Sequence, residues 1–275
     1  MLKKRLAKRS LKKLISVLIL SFLFISSTSQ AESNYWKDQK YVSLISKLKE
    51  MDFSEETINS TFGSSQVKFY PNIIKKFKTA KVPNLAAVDS ELLSSGSITR
   101  GLEFIKRNKK ALENVEKERG VEKETIVAIL RIESSFGQIT GKYQAFGILN
   151  SIVFYSESDS NRSKWAKKQI IALLTLCRAL GDNPLDKKSS WAGAIGIPQF
   201  ISTSYLDFGV DGNKDGQVNL FELEDTFHSV ANYLIKNNWK KDNLGAIYSY
   251  NHSLNYVMGV KAYAEKLKNK EGLNF

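Results

Sequence analysis

The sequence is poor in the residues on which disulfide-rich and zinc-dependent folds rely. Its 275 residues include one cysteine, Cys177, and two histidines, His228 and His252. A single cysteine excludes an internal disulfide framework, and isolated histidines exclude zinc-dependent nucleic-acid modules. Cys177 lies in an apolar stretch, where we expect a buried structural thiol. Four prolines and no clear strand-like alternation predict a mainly α-helical fold.

Acidic residues are absent before Glu32, where seven basic residues precede an apolar run from Leu14 to Ile25. This layout is typical of a signal peptide, because the run is shorter than the roughly 20 residues that span a membrane. We expect residues 1–31 to be cleaved on export to the periplasm; an uncleaved anchor is the alternative. Without those seven residues the formal charge falls from +13 to +6, which permits an anionic polymer as partner without requiring one.

Amphipathic periodicity predicts several helices and a division of the mature chain into two parts. Residues 32–100 are expected to form an N-terminal helical region that packs on a core formed by residues 101–275. The predicted helices are Val42–Lys49, Arg100–Arg119, Lys123–Ser135, Lys164–Leu180, Thr226–Asn238 and Val257–Lys268. The loops at 137–147, 181–196 and 209–219 are where function is expected.

Glu133 is the main candidate for chemistry. Ile126, Ile129, Leu130 and Glu133 have the spacing of one helix face, so the carboxyl group lies at the end of an apolar stripe. Partial desolvation there disfavours the charged form and raises the pKa toward that of a general acid at neutral pH. A Glu at a helix edge, paired with a nearby basic side chain, is the structural alternative.

A second motif has the spacing of an EF-hand calcium loop. Residues 211–222 read DGNKDGQVNLFE, with oxygen ligands expected from Asp211, Asn213, Asp215, Gln217 (backbone carbonyl) and Glu222. We expect a structural Ca²⁺, or Na⁺ when calcium is scarce, because a lone loop lacks the paired partner of a calcium sensor. A polar surface loop that binds no ion is the alternative.

Several separated motifs, in order, resemble the MltB-type lytic murein transglycosylases between about residues 100 and 270. These motifs are IESSFG at 132–137, Gly141, WAGAIGIPQF at 191–200 and YSYNH at 248–252. The resemblance implies a lysozyme-like helical core with Glu133 as the single catalytic acid and base. It also implies substrate-binding roles for Ser134, Ser190, Gln199, Tyr250, Asn251 and Tyr256. A helix or turn cap at Ser190, a buried amide at Gln199 and core packing of the tyrosines are the structural alternatives.

The resemblance implies cleavage of the bond between muramic acid and glucosamine in peptidoglycan, with a 1,6-anhydro product. No second carboxylate stands out in the motifs, which suits a mechanism assisted by the substrate's acetamido group. A hydrolytic muramidase and an inactive peptidoglycan-binding protein remain alternatives. The expected partners are glycan strands, with wall-remodelling proteins as further candidates but no nucleic acid, and we expect a monomer.

Overall fold

The computed structural model describes residues 34–79 and 90–271. It divides into two compact units, the first ending at Val67 and the second beginning at Lys68. The expected leader, residues 1–31, lies outside the described residues. Within the described ranges, no helix is both long and apolar enough to cross a membrane.

The first unit is a small aromatic core covered by short helices. Two 3₁₀ turns, Tyr35–Lys37 and Gln39–Tyr41, precede α1 (Val42–Glu50) and α2 (Glu55–Phe62). The hydroxyl of Ser54 caps α2 by accepting a hydrogen bond from the amide of Thr57. The rings of Tyr35 and Tyr41 meet edge to face, with centroids 5.3 Å apart. Ring packing therefore provides much of this unit's core.

The second unit is mainly helical, as the sequence predicted. Its helices are α3 (Ile73–Thr79), α4 (Ser95–Arg107), α5 (Lys109–Arg119), α6 (Lys123–Ser134), α7 (Ala145–Tyr155), α8 (Asn161–Leu180), α9 (Ser202–Phe208), α10 (Leu223–Lys236), α11 (Asn243–Tyr250) and α12 (Leu254–Glu271). Two short strands, β1 (Tyr143–Gln144) and β2 (Lys188–Ser189), pair antiparallel. The strands lie within the loops predicted at 137–147 and 181–196, where we expected function.

Helix α6 lies at the centre of the larger core. Ile126, Ile129 and Leu130 are fully buried, as the apolar stripe predicted, but Val127 and Ala128 on other faces are fully buried too. Helices α4, α5, α10 and α12 all pack against α6, which explains its burial beyond one stripe. Burial of each large side chain is worth about 1.5–3 kcal/mol, so Glu133 projects from a firmly held helix.

Helices α7 and α8 form a second packed pair beside the small sheet. The hydroxyl of Ser160 caps α8, and Gly181 ends it in a left-handed conformation at φ 70°. Cys177 is buried in α8, and burial raises the pKa of its thiol to about 12, as expected for a structural thiol. The buried amide of Gln144 accepts a hydrogen bond from Lys68 N and donates one to Leu185 O, joining three segments.

The helix predicted over residues 100–119 is two helices, because the chain leaves helical geometry at Asn108. There the backbone has φ −111° and ψ 19°, and the side-chain amide donates a hydrogen bond to the carbonyl of Phe104 at 2.8 Å. Asparagine amides compete with backbone amides in this way, which disfavours helix interiors. Part of the loop predicted at 137–147 also differs, since α7 begins at Ala145.

Candidate active site

Glu133 lies in the last turn of α6, immediately before a tight reversal of the chain. Ser135, Phe136 and Gly137 all have left-handed backbones, with φ of 52°, 62° and 88°. The amide of Phe136 donates to Leu130 O at 3.0 Å, which satisfies a carbonyl at the helix end. This turn gives Glu133 a defined position beside a loop.

The residues around this turn stabilise it through side-chain contacts. The ring of Phe136 stacks on Phe104 of α4, with centroids 4.9 Å apart. The hydroxyl of Ser134 is buried, with its residue 1% exposed, and accepts a hydrogen bond from Gly137 N at 2.9 Å. The contacts of Ser134 lie within the turn, and its substrate contact stays a prediction. Ser134 therefore positions the chain next to Glu133.

The carboxyl group of Glu133 is partly buried, and among the described residues its hydrogen-bond partner is the side chain of Tyr256. Burial raises its pKa to about 7, while the hydrogen bond from the Tyr256 hydroxyl to Oε1, 2.7 Å long, acts in the opposite direction. Burial and the neighbouring Glu133 also raise the pKa of Tyr256 well above its ordinary value. Tyr256 therefore stays protonated as a donor while Glu133 exchanges a proton near neutral pH.

Behind Glu133, tyrosine rings form a stack contributed by three helices. Tyr256 of α12 lies nearly parallel to Tyr250 of α11, with ring centroids 6.2 Å apart and an interplanar angle of 12°. Tyr250 donates a hydrogen bond to Pro198 O at 2.6 Å and packs against Tyr233 of α10 at 4.8 Å. Sequence reasoning missed Tyr233, because its spacing in α10 is that of an ordinary core residue.

The 190–200 loop reaches the tyrosines through Pro198 and is organised by two predicted site residues. The hydroxyl of Ser190 accepts hydrogen bonds from the amides of Ala192 and Ala194. Gln199 has a left-handed backbone at φ 53°, and its amide donates to Gly196 O at 2.8 Å and Thr140 O at 3.3 Å. A backbone that L-residues disfavour, fixed by such contacts, is common at functional sites.

Asn251 follows the last residue of α11, on the short connection to α12. Tyr256 lies in the first turn of α12. Its backbone is extended, its side chain is exposed, and its carbonyl accepts a hydrogen bond from Ser253 N. Within the described part of the chain, no hydrogen bond from its side-chain amide is recorded. The structure thus brings Glu133, Tyr250 and Tyr256 into contact, and leaves the Asn251 amide open to solvent.

The loop over residues 211–222 has its polar side chains turned toward one another. The carboxylate of Asp211 accepts hydrogen bonds from Asp215 N at 3.2 Å and Gly216 N at 2.9 Å. The amide of Asn213 contacts the carboxylates of both Asp215 and Glu222. Among residues 34–79 and 90–271, no group of three or more His, Cys, Asp or Glu side chains is arranged to hold a metal.

Asp225, a residue that sequence reasoning missed, fixes both ends of this loop. It is fully buried in the first turn of α10, and its carboxylate accepts hydrogen bonds from Gly212 N at 2.8 Å, Asn213 N at 3.3 Å and Asn219 N at 2.6 Å. The ligand pattern gave no signal for it, because it lies beyond the twelfth loop position.

Three cavities lie away from Glu133. One of about 620 Å³ is lined by α5 and the start of α10, and none of the predicted catalytic or sugar-binding residues lines it. His228 lies in its wall, and burial lowers the pKa of this imidazole. The predicted site is instead the surface beside Glu133.

Comparison with known proteins identifies related chains. The family described as Transglycosylase SLT domain matches residues 37–245. Membrane-bound lytic murein transglycosylase B of Escherichia coli (strain K12) is 31% identical over 157 residues, which cover 57% of this chain and 43% of that protein. The chain therefore matches less than half the length of this relative.

Two solved structures share the fold. Soluble lytic transglycosylase SltB1 from Pseudomonas aeruginosa is 23% identical, with a TM-score of 0.76 over 84% of this chain and 98% of that one. The Escherichia coli lytic transglycosylase Slt35 in complex with calcium is 20% identical, with a TM-score of 0.77 over 88% and 97%. Given the extent of the family match, this chain belongs to the transglycosylase SLT domain family.

Proposed function

We propose that the protein is a lytic transglycosylase that cleaves the β-1,4 bond between N-acetylmuramic acid and N-acetylglucosamine in peptidoglycan and leaves 1,6-anhydro-muramic ends. The observation that carries this proposal is Glu133, a partly buried carboxyl group with its pKa raised to about 7 beside a tyrosine stack. A general acid works best when its pKa is close to the working pH. Membership of the SLT domain family supports the same reaction.

In the first step, protonated Glu133 gives its proton to the glycosidic oxygen as the bond from the muramic anomeric carbon breaks. The carbonyl oxygen of the substrate's acetamido group stabilises the cationic carbon. Glu133, now a carboxylate, then accepts the proton of the muramic C6 hydroxyl, whose oxygen attacks the anomeric carbon. The carboxyl group is regenerated and no water is consumed.

The surroundings of Glu133 suit one residue in both roles. Burial favours the protonated form before cleavage, and the Tyr256 hydroxyl stabilises the carboxylate formed afterwards. Among the described residues, the recorded hydrogen-bond partner of the carboxyl group is a tyrosine, and no second acid is recorded beside it. A substrate-assisted route needs no such acid, unlike the usual two-carboxylate glycosidase.

The remaining sequence-predicted residues are proposed as substrate contacts around this acid. The Asn251 amide faces solvent next to α12, and Gln199 and Ser190 order the loop that Tyr250 contacts. Hydrogen bonds that orient the acetamido group would lower the barrier by bringing the reacting atoms together. Ser134 is proposed to act through the turn behind Glu133.

The test is the identity of the muropeptides released from purified peptidoglycan, measured by mass spectrometry. We expect anhydro-muramic ends from the wild type and at least about a thousandfold slower release by Glu133→Gln, which cannot donate the proton. Glu103→Gln, an exposed acid on α4, is the control. Reducing ends would instead establish a hydrolytic muramidase, and binding without release would establish a peptidoglycan-binding protein.

We also propose that the 211–222 loop binds one structural Ca²⁺, with Na⁺ as a substitute. Three carboxylates and an asparagine on one short loop provide hard oxygen ligands, and Asp225 fixes the loop ends. Slt35, which shares the fold, was solved in complex with calcium. The ion would neutralise the repulsion among these carboxylates and takes no part in the chemistry. We further propose that the protein is exported to the periplasm, where peptidoglycan lies, on the basis of the signal-peptide layout of residues 1–31.

A further inference from the structure

A cluster of cations and aromatic rings lies where α3 meets the small sheet. It comprises Lys76, Phe77, Tyr143, Arg162 and Trp191, and we call it the cation–aromatic cluster. The ammonium group of Lys76 lies 5.0 Å from the centroid of the Trp191 ring and 5.4 Å from that of Tyr143. Phe77 packs on Trp191 at 5.0 Å, and the Arg162 guanidinium lies 4.8 Å from Phe77. The rings are partly exposed, so a ligand can reach them.

Among residues 34–79 and 90–271, no carboxylate pairs with Lys76. Lys76 is exposed, and α3 itself contains no acidic residue. Contact with two rings orients the ammonium group, yet leaves its N–H donors on the outer side free for an acceptor. This is an arrangement suited to a carboxylate carried by a molecule with apolar faces.

The cluster is connected to the Glu133 site through short segments. Tyr143 pairs with Ser189 in the sheet, and Ser190 and Trp191 follow directly. Gly141 packs so closely on Ser189 and Ser190 that a Cβ there would lie 2.2 Å from Ser189 O. One residue earlier, Thr140 O accepts the hydrogen bond from Gln199. Short segments therefore link the cation–aromatic cluster to the 190–200 loop, whose Pro198 carbonyl accepts the hydrogen bond from Tyr250 in the stack behind Glu133.

We propose that the cation–aromatic cluster is a binding site for the carboxylates attached to muramic acid residues of the glycan strand, with Lys76 as the ionic contact and Trp191 and Tyr143 against sugar faces. This inference rests on the proposed function. Muramic acid differs from glucosamine by a lactyl group, which either ends in a carboxylate or carries a peptide whose own carboxylates lie further out. Lys76 would thus distinguish peptidoglycan from an uncharged glycan.

The test measures binding to the full chain with Glu133→Gln, which keeps the ligand intact, by isothermal titration calorimetry. The ligands are a peptide-bearing tetrasaccharide from peptidoglycan, the same glycan after amidase treatment, which leaves lactyl carboxylates, and chitotetraose, which has no carboxylate. We expect Lys76→Gln to weaken binding of the peptide-bearing glycan about five- to tenfold, as for loss of one charge-assisted contact. Binding of chitotetraose should not change.

The amidase-treated glycan identifies the source of the carboxylate. A loss confined to the peptide-bearing ligand assigns the contact to the carboxylates of the peptide. A loss with both ligands shows that either carboxylate reaches Lys76, because the lactyl group of the peptide-bearing glycan is an amide and that of the amidase-treated glycan is a carboxylate. Lys78→Gln, on the same helix without a recorded ring contact, should leave all three affinities unchanged, and Lys76→Arg should restore binding. Thermal melting of each variant confirms folding.

Unchanged affinity in Lys76→Gln, or an equal loss for chitotetraose, would overturn the inference while leaving the proposed function standing. If none of the three ligands binds and the wild type releases no anhydro-muropeptides, the proposed function itself is refuted. A carboxylate-dependent loss in a protein that releases no product would support the site and refute the enzyme.

Discussion

At the scale of single residues, Glu133 is a case in which stability is given up for chemistry. Its carboxyl group is partly withdrawn from water, and the recorded hydrogen bond from Tyr256 does not offset the burial. A charged group in such a place destabilises the folded state, since the unfolded chain hydrates it fully. The same burial supplies the proton-donating form near pH 7.

Replacing Glu133 with glutamine is therefore expected to stabilise the protein in a pH-dependent way. The pKa of Glu133 rises from 4.5 to about 7 on folding, so the folded wild type binds this proton more tightly and loses that stability as pH rises through about 7. The free energy of unfolding of Glu133→Gln minus that of the wild type should therefore increase from pH 4 to pH 8, by at most about 3 kcal/mol. Urea unfolding at both pH values measures this, and a constant difference would contradict it.

Tyr256→Phe is expected to move the pH dependence of activity. The hydrogen bond from Tyr256 lowers the pKa of Glu133, so its loss should raise that pKa and shift the alkaline limb of kcat/KM upward by about half to one pH unit. Tyr263→Phe removes a hydroxyl that donates to Ser97 O instead and serves as the control. A downward or absent shift would show that Tyr256 does not act through this carboxyl group.

At the scale of helices, the contact between α4 and α12 depends on a residue without a side chain. A Cβ at Gly101 would lie 2.6 Å from the hydroxyl of Tyr263 and 2.8 Å from Leu267. Because Tyr263 is fully buried, it has little room to move. The two helices are thus held at a separation that only glycine permits.

Gly101→Ala is expected to destabilise the protein by about 1–3 kcal/mol through overpacking. Gly96→Ala on the same helix is the matched control, because Gly96 is exposed and a Cβ there would have its nearest neighbour 3.9 Å away. Alanine's higher helix propensity should make Gly96→Ala neutral or stabilising by up to about 1 kcal/mol. Chemical denaturation of both variants measures the difference, and equal effects would contradict the packing argument.

The sequence predicts helices well where periodicity and caps agree. The start of α6 and the ends of α5, α6 and α8 lie within a residue of their predicted positions. The break at Asn108 was not predicted, because its cause is a side-chain hydrogen bond that leaves the apolar spacing intact. Helix α7 was not predicted. It is buried on nearly all sides, so its sequence lacks the polar face that would reveal a helical periodicity.

The candidate site shows the same division. The apolar stripe placed Glu133 correctly at a helix end, and its partly buried state follows from that placement. The hydrogen-bond partner of Glu133, Tyr256, comes from α12, and behind it lie Tyr250 of α11 and Pro198 of the 190–200 loop, all distant from Glu133 in sequence. Single-sequence periodicity carries no information on such contacts, so Tyr233 and Asp225 emerged only from the structure.

At the scale of the whole molecule, the 211–222 loop joins α9 to α10 and is proposed to be clamped by an ion. We expect the melting temperature in Ca²⁺ to exceed that measured in a chelator. The free energy of unfolding should increase with Ca²⁺ concentration, by about 2.7 kcal/mol when the concentration is one hundred times Kd. Glu222→Gln, which removes a carboxylate from the loop, should abolish most of this gain. Asp159→Asn, an exposed acid outside the loop, should keep it, and a wild type indifferent to Ca²⁺ would refute the clamp.

The left-handed turn at 135–137 has a consequence for the order in which the site assembles. Two of its residues are not glycine, so the turn is unfavourable in isolation and depends on Phe136 docking against Phe104. The segment after Glu133 should therefore form only once α4 and α6 have come together. In native-state hydrogen exchange, the amides of Phe136 and Ile139 would then report the integrity of the catalytic end of α6 independently of turnover.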